Sequence, residues 1–247
     1  MVSSRESIGA PASLLALHVI ALGIENSNPS AAAPDREPAA SVALVEVDRG
    51  VAGRTLGVEA VDTADPRKDD LLSAIARLCD RAGVRPRDLG LVAVSAGPGG
   101  YTATRIAVTA AKFITEGTGA RCVAVPTARA VARATACAVP CAVVLASKGE
   151  TAWVTAFDGD REVLAGHLAT ARDMSAWDVR ALVADRFLPA AMAARAEELA
   201  IEVVAPRFCA RAVVELGLGA APVDPLDLVP IYPREPEAVT KWRQRSG

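Results

Sequence analysis

Leu91-Val92-Ala93-Val94-Ser95-Ala96-Gly97-Pro98-Gly99-Gly100-Tyr101-Thr102-Ala103-Thr104-Arg105-Ile106 is the stretch from which the architecture is read. Leu91 to Ala96 is a continuous run of apolar and small residues, the pattern of a central parallel strand covered on both faces. Glycine and proline interrupt it at residues 97–100, and the apolar spacing beyond predicts a helix from Thr102 to about Glu116. Downstream, Arg121 to Val125 reads as a further strand and Thr127 to Ala136 as a further helix. Upstream, Leu17 to Ile24, Ser41 to Val47 and Val51 to Val61 read as strands, the last two joined by a turn at Asp48-Arg49-Gly50. Asp69 to Ala82 is helical, with Leu71, Ile75, Leu78 and Ala82 at three-and-four spacing and Gly83 suited to the left-handed stop. Asn26 to Pro38 has three prolines and no apolar period, so an exposed loop is expected there.

The second half opens in the same way. Cys141 to Leu145 and Thr151 to Phe157 form a hairpin across Ser147-Lys148-Gly149, and Glu162 to Ala169 supplies a third strand. Short helices are expected at Ala190 to Leu199 and Arg207 to Leu216, with a strand Ile201 to Val204 between them. The element order is that of an α/β protein with a two-lobed, ribonuclease H-like plan, the second lobe reduced. The expected divisions are a flexible tail at 1–13, a first lobe at 14–137, a second lobe at 138–228 and a C-terminal tail at 229–247 packing on the body.

Composition agrees with this class. The 247 residues are 51% hydrophobic but only 4% aromatic, so the core is built from Ala, Val, Leu and Ile. A net charge of −2 gives no broad attraction for nucleic acid or acidic membranes. The apolar run Leu14 to Ile24 is far shorter than the ~20 residues that cross a bilayer, and neither its charge pattern nor His18 suits a signal peptide. Cys79, Cys122, Cys137, Cys141 and Cys209 are scattered through apolar segments and read as buried thiols of a reducing cytoplasm rather than a disulfide framework.

Several positions are candidates for chemistry. The glycine loop at a strand-to-helix junction is either an anion site, using Gly97, Gly99, Gly100, Thr102 and Arg105, or a tight turn that packs the helix on the sheet. Neither a Walker lysine nor the Rossmann glycine spacing is present, so the turn is preferred. Thr102 is the candidate helix cap. Glu25 stands where a carboxylate would help hold a cation, but the second-lobe turn offers Lys148 and no aspartate; a solvated strand-end acid is preferred. His18 and His167 lie in separate apolar strands and read as packed structural residues. Pro233 to Arg245 is either a basic tail, through Lys241, Arg243 and Arg245, or a short helix pinned by Trp242, the preferred reading.

The two first-lobe helices carry more apolar surface than a sheet requires. On Thr102 to Glu116 the charges Arg105, Lys112 and Glu116 share one stripe, and Asp69 to Ala82 has Leu72, Ala76 and Cys79 beside its core stripe. Either the rest of the chain covers this surplus or a partner does. The candidate interface is Leu72, Ile75, Ala76, Cys79, Ala103, Ala107, Ala110, Ala111 and Ile114.

The run Ser95 to Ile106 continuing through Ala110-Ala111-Lys112, together with Val123 to Pro126 and Tyr232, Arg234, Glu237 and Ala238, resembles the TsaB (YeaZ-like) family of tRNA threonylcarbamoyladenosine biosynthesis proteins. The resemblance covers most of 17–160 and 228–242 and implies an actin-like fold of the ASKHA superfamily. It also implies a cytoplasmic, non-catalytic scaffold that pairs with the TsaD-like catalytic subunit, is joined by a TsaE-like ATPase, meets tRNA only indirectly and dimerises when alone. No cofactor or metal is expected within the chain; ATP or ADP would sit only at an interface shared with the partner. TsaD's paired-histidine motif is missing, since Pro126-Thr127-Ala128-Arg129-Ala130 has no histidine. Glu25-Asn26-Ser27-Asn28 stands where the family has Asp-Thr-Ser-Thr, and Leu145-Ala146-Ser147-Lys148-Gly149-Glu150 where it has Asp-Ala-Arg-Arg-Gly-Glu. The alternative function is an ATPase or phosphotransferase on the same fold, acting on a small molecule.

Overall fold

The structure, a computed structural model, describes residues 18–31, 38–63, 69–234 and 242–243. The first half contains β1 (Val19–Glu25), β2 (Ser41–Asp48), β3 (Val51–Ala60), α1 (Leu71–Ala82), β4 (Leu89–Ser95), α2 (Tyr101–Thr118), β5 (Arg121–Val125) and α3 (Thr127–Thr135). The second contains β6 (Cys141–Lys148), β7 (Thr151–Asp158), β8 (Arg161–Ala169), β9 (Ala181–Ala184), α4 (Ala190–Glu198), β10 (Glu202–Val204) and α5 (Ala210–Leu218). Two five-stranded sheets result, in the orders β3-β2-β1-β4-β5 and β10-β9-β6-β7-β8.

Reversing the second order gives β8-β7-β6-β9-β10, which is the first order element for element. In each sheet the opening three strands are antiparallel, and the opening strand pairs in parallel with the fourth. The hairpins β2–β3, β6–β7 and β7–β8 all turn through two residues, with positive φ at Arg49, Gly50, Gly149 and Gly159. The second lobe therefore repeats all five strands. Its reduction lies in size: β9 has four residues, β10 has three, and a 3-10 turn at Asp173–Ala176 stands where the first lobe has α1. β9 had no counterpart in the sequence reading, because four apolar residues are too few to show a period.

β1 and β4 are apolar along almost their whole length because helices cover both faces of the first sheet. On the outer face α1 lies over β2 and β3, and α2 over β4 and β5. Leu71, Ala74, Ile75, Leu78 and Cys79 point inward from α1, and Thr104, Ala107, Val108, Ala110, Ala111 and Thr115 from α2. The first of these helices is bolted to the edge strand by charge: Arg77 and Arg81 bind Glu59 at 2.8 and 2.6 Å, and Arg77 holds the Asp70 carboxyl down at about 2.

The inner face of the first sheet is covered by α5, which packs on β1, β2 and β4. This corrects the division of the chain. Segment 138–228, expected to be the second lobe, ends in a helix that belongs to the first lobe's core. In exchange α3, from the first half, lies against β6 and β7 with Ala128 and Val131 buried beside Val143, Leu145, Phe157 and Phe208. α4 and the 3-10 turn cover the far face of the second sheet. The molecule is thus helix, sheet, helix, sheet, helix, and the central helical layer is shared by reciprocal exchange.

Candidate functional site

The two lobes meet at a cleft of about 700 Å³ lined by the ends of their strands and the loops that follow. Its first wall is Asn28, Ser30, Gly99, Gly100 and Tyr101; its second is Ala146, Ser147, Lys148, Asp185 and Phe187; Tyr232, Pro233 and Arg234 close one side. The glycine loop is here because β4 ends at the cleft and α2 begins there.

What that loop does is decided by its neighbours. The Gly100 N–H donates to the Ser27 carbonyl at 2.7 Å, and the Gly97 N–H to Thr127 Oγ1 at 3.1 Å. Gly97 has φ +101°, and a Cβ there would stand 2.8 Å from the Ile231 carbonyl oxygen. A Cβ at Gly99 would collide with the Ser27 carbonyl. Chain packs against chain at both positions, so the tight-turn reading explains both glycines. Gly100 is the residue before the helix, without a side-chain cap, and Thr102 lies exposed within the first turn rather than capping it. Arg105 stacks on the Tyr101 ring, 4.3 Å from its centroid.

Glu25 is not a solvated acid. It is wholly buried, with Oε1 accepting from the Ser27 N–H at 2.8 Å and the Ser27 hydroxyl at 2.6 Å, while Oε2 has no hydrogen-bond partner. Burial pushes its carboxyl up from the ordinary value, and the hydrogen bonds from Ser27, with the Ser95 hydroxyl nearby, oppose the shift. Ser95 and Thr127 share a hydrogen bond of 2.8 Å next to it. Asn26, Ser27 and Asn28 are buried too, so the expected exposed loop begins only after them; residues 32–37 lie outside the described residues.

Asp185 was missed, because it follows the missed strand β9. It lines the cleft from the second lobe, burial raises its pKa, and it accepts the Phe187 N–H at 2.9 Å. Among the described residues no three His, Cys, Asp or Glu side chains come together as a metal site. His18 is exposed just before β1, and His167 is half-buried on β8, so neither is the packed core residue expected.

The candidate interface is corrected as well. Ile75, Cys79, Ala107, Ala110 and Ala111 are buried against the chain's own first sheet. The apolar arc of α2 is wide because the helix sits in a trough between α1 and the C-terminal segment. Leu72 and Ala76 remain exposed, and Ala103 and Ile114 are half-buried. Phe113, which belongs to the apolar arc of α2 but not to the candidate interface, stands 77% exposed on the outward face of the helix. Leu72 on α1 is 56% exposed and Leu226 is 76% exposed, and the Leu226 carbonyl accepts from Nζ of Lys112, the residue before Phe113. Trp242 is 68% exposed, so it does not pin the tail by burial; residues 235–241 and 244–247 lie outside the described residues, as does the expected tail at 1–13.

The family model of TsaD, tRNA N6-adenosine threonylcarbamoyltransferase, matches residues 55–184. The chain belongs to this family. The matched region runs from β3 to β9 and so includes the glycine loop and most of both cleft walls. YeaZ from Pseudomonas aeruginosa superposes with a TM-score of 0.61 at 19% identity, over 87% of this chain and 99% of that one. A second structure, described as an uncharacterized protein with similarity to peptidase YeaZ from Pseudomonas aeruginosa, gives 0.61 at 16% identity over 87% and 100%. No curated protein matches the sequence. The fold is the two-lobed actin-like α/β fold of YeaZ, so the chain is TsaB-like in architecture. Among the described residues no helix is long and apolar enough to cross a membrane.

Proposed function

We propose that this chain is a cytoplasmic, non-catalytic partner in the formation of threonylcarbamoyladenosine in tRNA, binding and stabilising a TsaD-like catalytic subunit through its outer helical layer. The observation that carries the proposal is Phe113, a large apolar ring on the outward face of α2 with Leu72 exposed on the neighbouring helix. Burying such side chains against a partner gains about 1.5–3 kcal/mol each, and leaving them in water forgoes it. Ala76 is also exposed on α1, and Ala103 and Ile114 are half-buried on α2. A second copy of the chain takes the same face when the catalytic subunit is absent. The TsaE-like ATPase joins the assembled pair, and tRNA is met through the catalytic subunit. One feature supports a non-catalytic role. The chain belongs to a transferase family, yet its two histidines lie in different lobes, so its fold does not assemble the paired-histidine motif of TsaD.

The test is co-purification with the TsaD-like protein of the same organism, followed by size-exclusion chromatography with light scattering. Phe113→Arg and Leu72→Arg are expected to weaken the complex at least about tenfold, since each buries an unpaired charge, while each monomer stays folded. Undiminished assembly by both variants rejects the surface. Steady hydrolysis of ATP by the lone chain rejects the non-catalytic role and favours the phosphotransferase alternative.

A further inference from the structure

The boundary between the lobes has two sides. On one, α3 leads the chain from the first sheet to β6 and residues 205–209 lead it back to α5, and α3 and Phe208 are buried with the inner face of the second sheet. On the other side lies the cleft, and here the segment from Leu228 to Arg234 passes from lobe to lobe. It is fastened first to the first lobe. Leu228 is buried in that core and Ile231 packs against it. The Ile231 N–H donates to the Ala96 carbonyl at 2.7 Å, and the Tyr232 ring lies 5.0 Å from that of Tyr101, tilted by 34°.

Two residues later the same segment grips the second lobe. Arg234 Nη1 donates to the Ala146 carbonyl at 2.6 Å, and Nη2 donates to the Thr151 carbonyl at 3.0 Å and to Thr151 Oγ1 at 2.7 Å. All three acceptors belong to the β6–β7 hairpin, and that hairpin is irregular where it is gripped. Its register slips between Leu145 and Lys148, and Ala146 has φ +49°, a left-handed conformation in a residue with a Cβ. Such a backbone persists only where its surroundings hold it. Arg234 supplies that hold at the Ala146 carbonyl, and the Thr151 hydroxyl completes it by donating to the Lys148 carbonyl at 3.1 Å while accepting from Arg234. A planar fork with several fixed donors meets these three acceptors; a lysine ammonium has no such geometry.

We infer that residues 228–234 form an inter-lobe clasp, in which Arg234 holds the β6–β7 hairpin in its bulged form and thereby sets the width of the cleft. Tyr232, Pro233 and Arg234 are themselves cleft wall, so drawing the segment off α2 removes one wall and frees the hairpin in a single movement. The lobes then swing about the two crossings on the opposite side. The clasp is a property of the isolated chain and does not rest on the proposed partnership.

The experiment uses the full-length chain alone, with Arg234→Ala, Arg234→Lys and Thr151→Val, read by hydrogen–deuterium exchange and small-angle scattering. Exchange within 145–151 is expected to rise at least about tenfold in Arg234→Ala, with a larger radius of gyration, while peptides from α1 and α2 keep their protection. Arg234→Lys is expected to follow alanine, and Thr151→Val to fall between alanine and the native chain. Native-like exchange at 145–151 in Arg234→Ala overturns the clasp. So does a uniform rise over both lobes, which would make Arg234 a general stabiliser, and so does full restoration by lysine.

Discussion

Glu25 shows how one side chain can couple the fold to pH. Its carboxyl is entirely buried at the end of β1, with one oxygen satisfied by Ser27 and the other unpartnered. Burial disfavours the charged form, so the folded chain holds this proton more tightly than the unfolded chain, where the ordinary value is 4.5. Stability from this group is therefore full below pH 4.5 and is lost as pH rises through the folded pKa. Glu25→Gln keeps the shape and removes the titration. The melting temperature of the variant relative to the native chain is expected to climb as pH is raised above 4.5 in a thermal-denaturation series; a constant difference would show that Glu25 does not titrate differently in the two states. At the same scale, Gly99→Ala places a Cβ against the Ser27 carbonyl and is expected to cost about 1–3 kcal/mol in urea unfolding.

At the scale of elements, α5 lies close against the first sheet. A Cβ on Gly23 of β1 would run into the Ala210 carbonyl and stand 2.8 Å from Val214 Cγ2, and one on Gly217 of α5 would stand 2.8 Å from Ala93 Cβ and 2.9 Å from Val123 Cγ2. Both glycines let a helix backbone approach the sheet. Gly23→Ala must therefore shift α5 rather than a flexible side chain, with an expected loss of about 2–3 kcal/mol, the upper part of the overpacking range. Gly117, in the last turn of α2, has nothing within 4 Å of its Cβ position. Gly117→Ala is expected to gain about 0.5–1 kcal/mol, because alanine costs less backbone entropy in a helix. Chemical denaturation of the pair separates close packing from helix propensity: the two changes are chemically identical and opposite in sign. The exposed strip on α2 depends on the same geometry, since the buried face of that helix is set by the sheet and Phe113 is left on the outside.

For the whole molecule, the exchange of α3 and α5 makes each half depend on the other. A chain ended at Cys137 keeps all five strands of the first sheet but loses α5, which covers Ala21, Ala43, Leu91, Ala93 and Val123. It is expected to bind a hydrophobic dye and to show no cooperative melt, whereas the full chain melts as a unit; a truncated chain with a sharp transition would show the first lobe to be autonomous. The clasp acts at this same scale. The lobes are joined by shared helices on one side and by a short segment on the other, so cleft width can vary while the shared core stays packed.

Local signals in the sequence determined the strands β1 to β8, the helices and the strand-to-helix turn at Gly97–Gly100, because continuous apolar runs, three-and-four spacing and glycine stops are properties of neighbouring residues. The motif from Ser95 to Lys112 was sufficient to indicate the family. The tertiary structure alone decided which apolar residues were surplus. Ala107 and Ala111 and the exposed Phe113 sit on one helix with similar hydropathy, and only the position of the sheet divides them. It alone also placed α5 on the first sheet, buried Glu25, added Asp185 to the cleft behind a strand of four residues and brought Arg234 to the hairpin at Ala146. Burial and long-range hydrogen bonds join residues some 80 or more positions apart, as in Arg234 and Ala146, and no local period can encode such pairs.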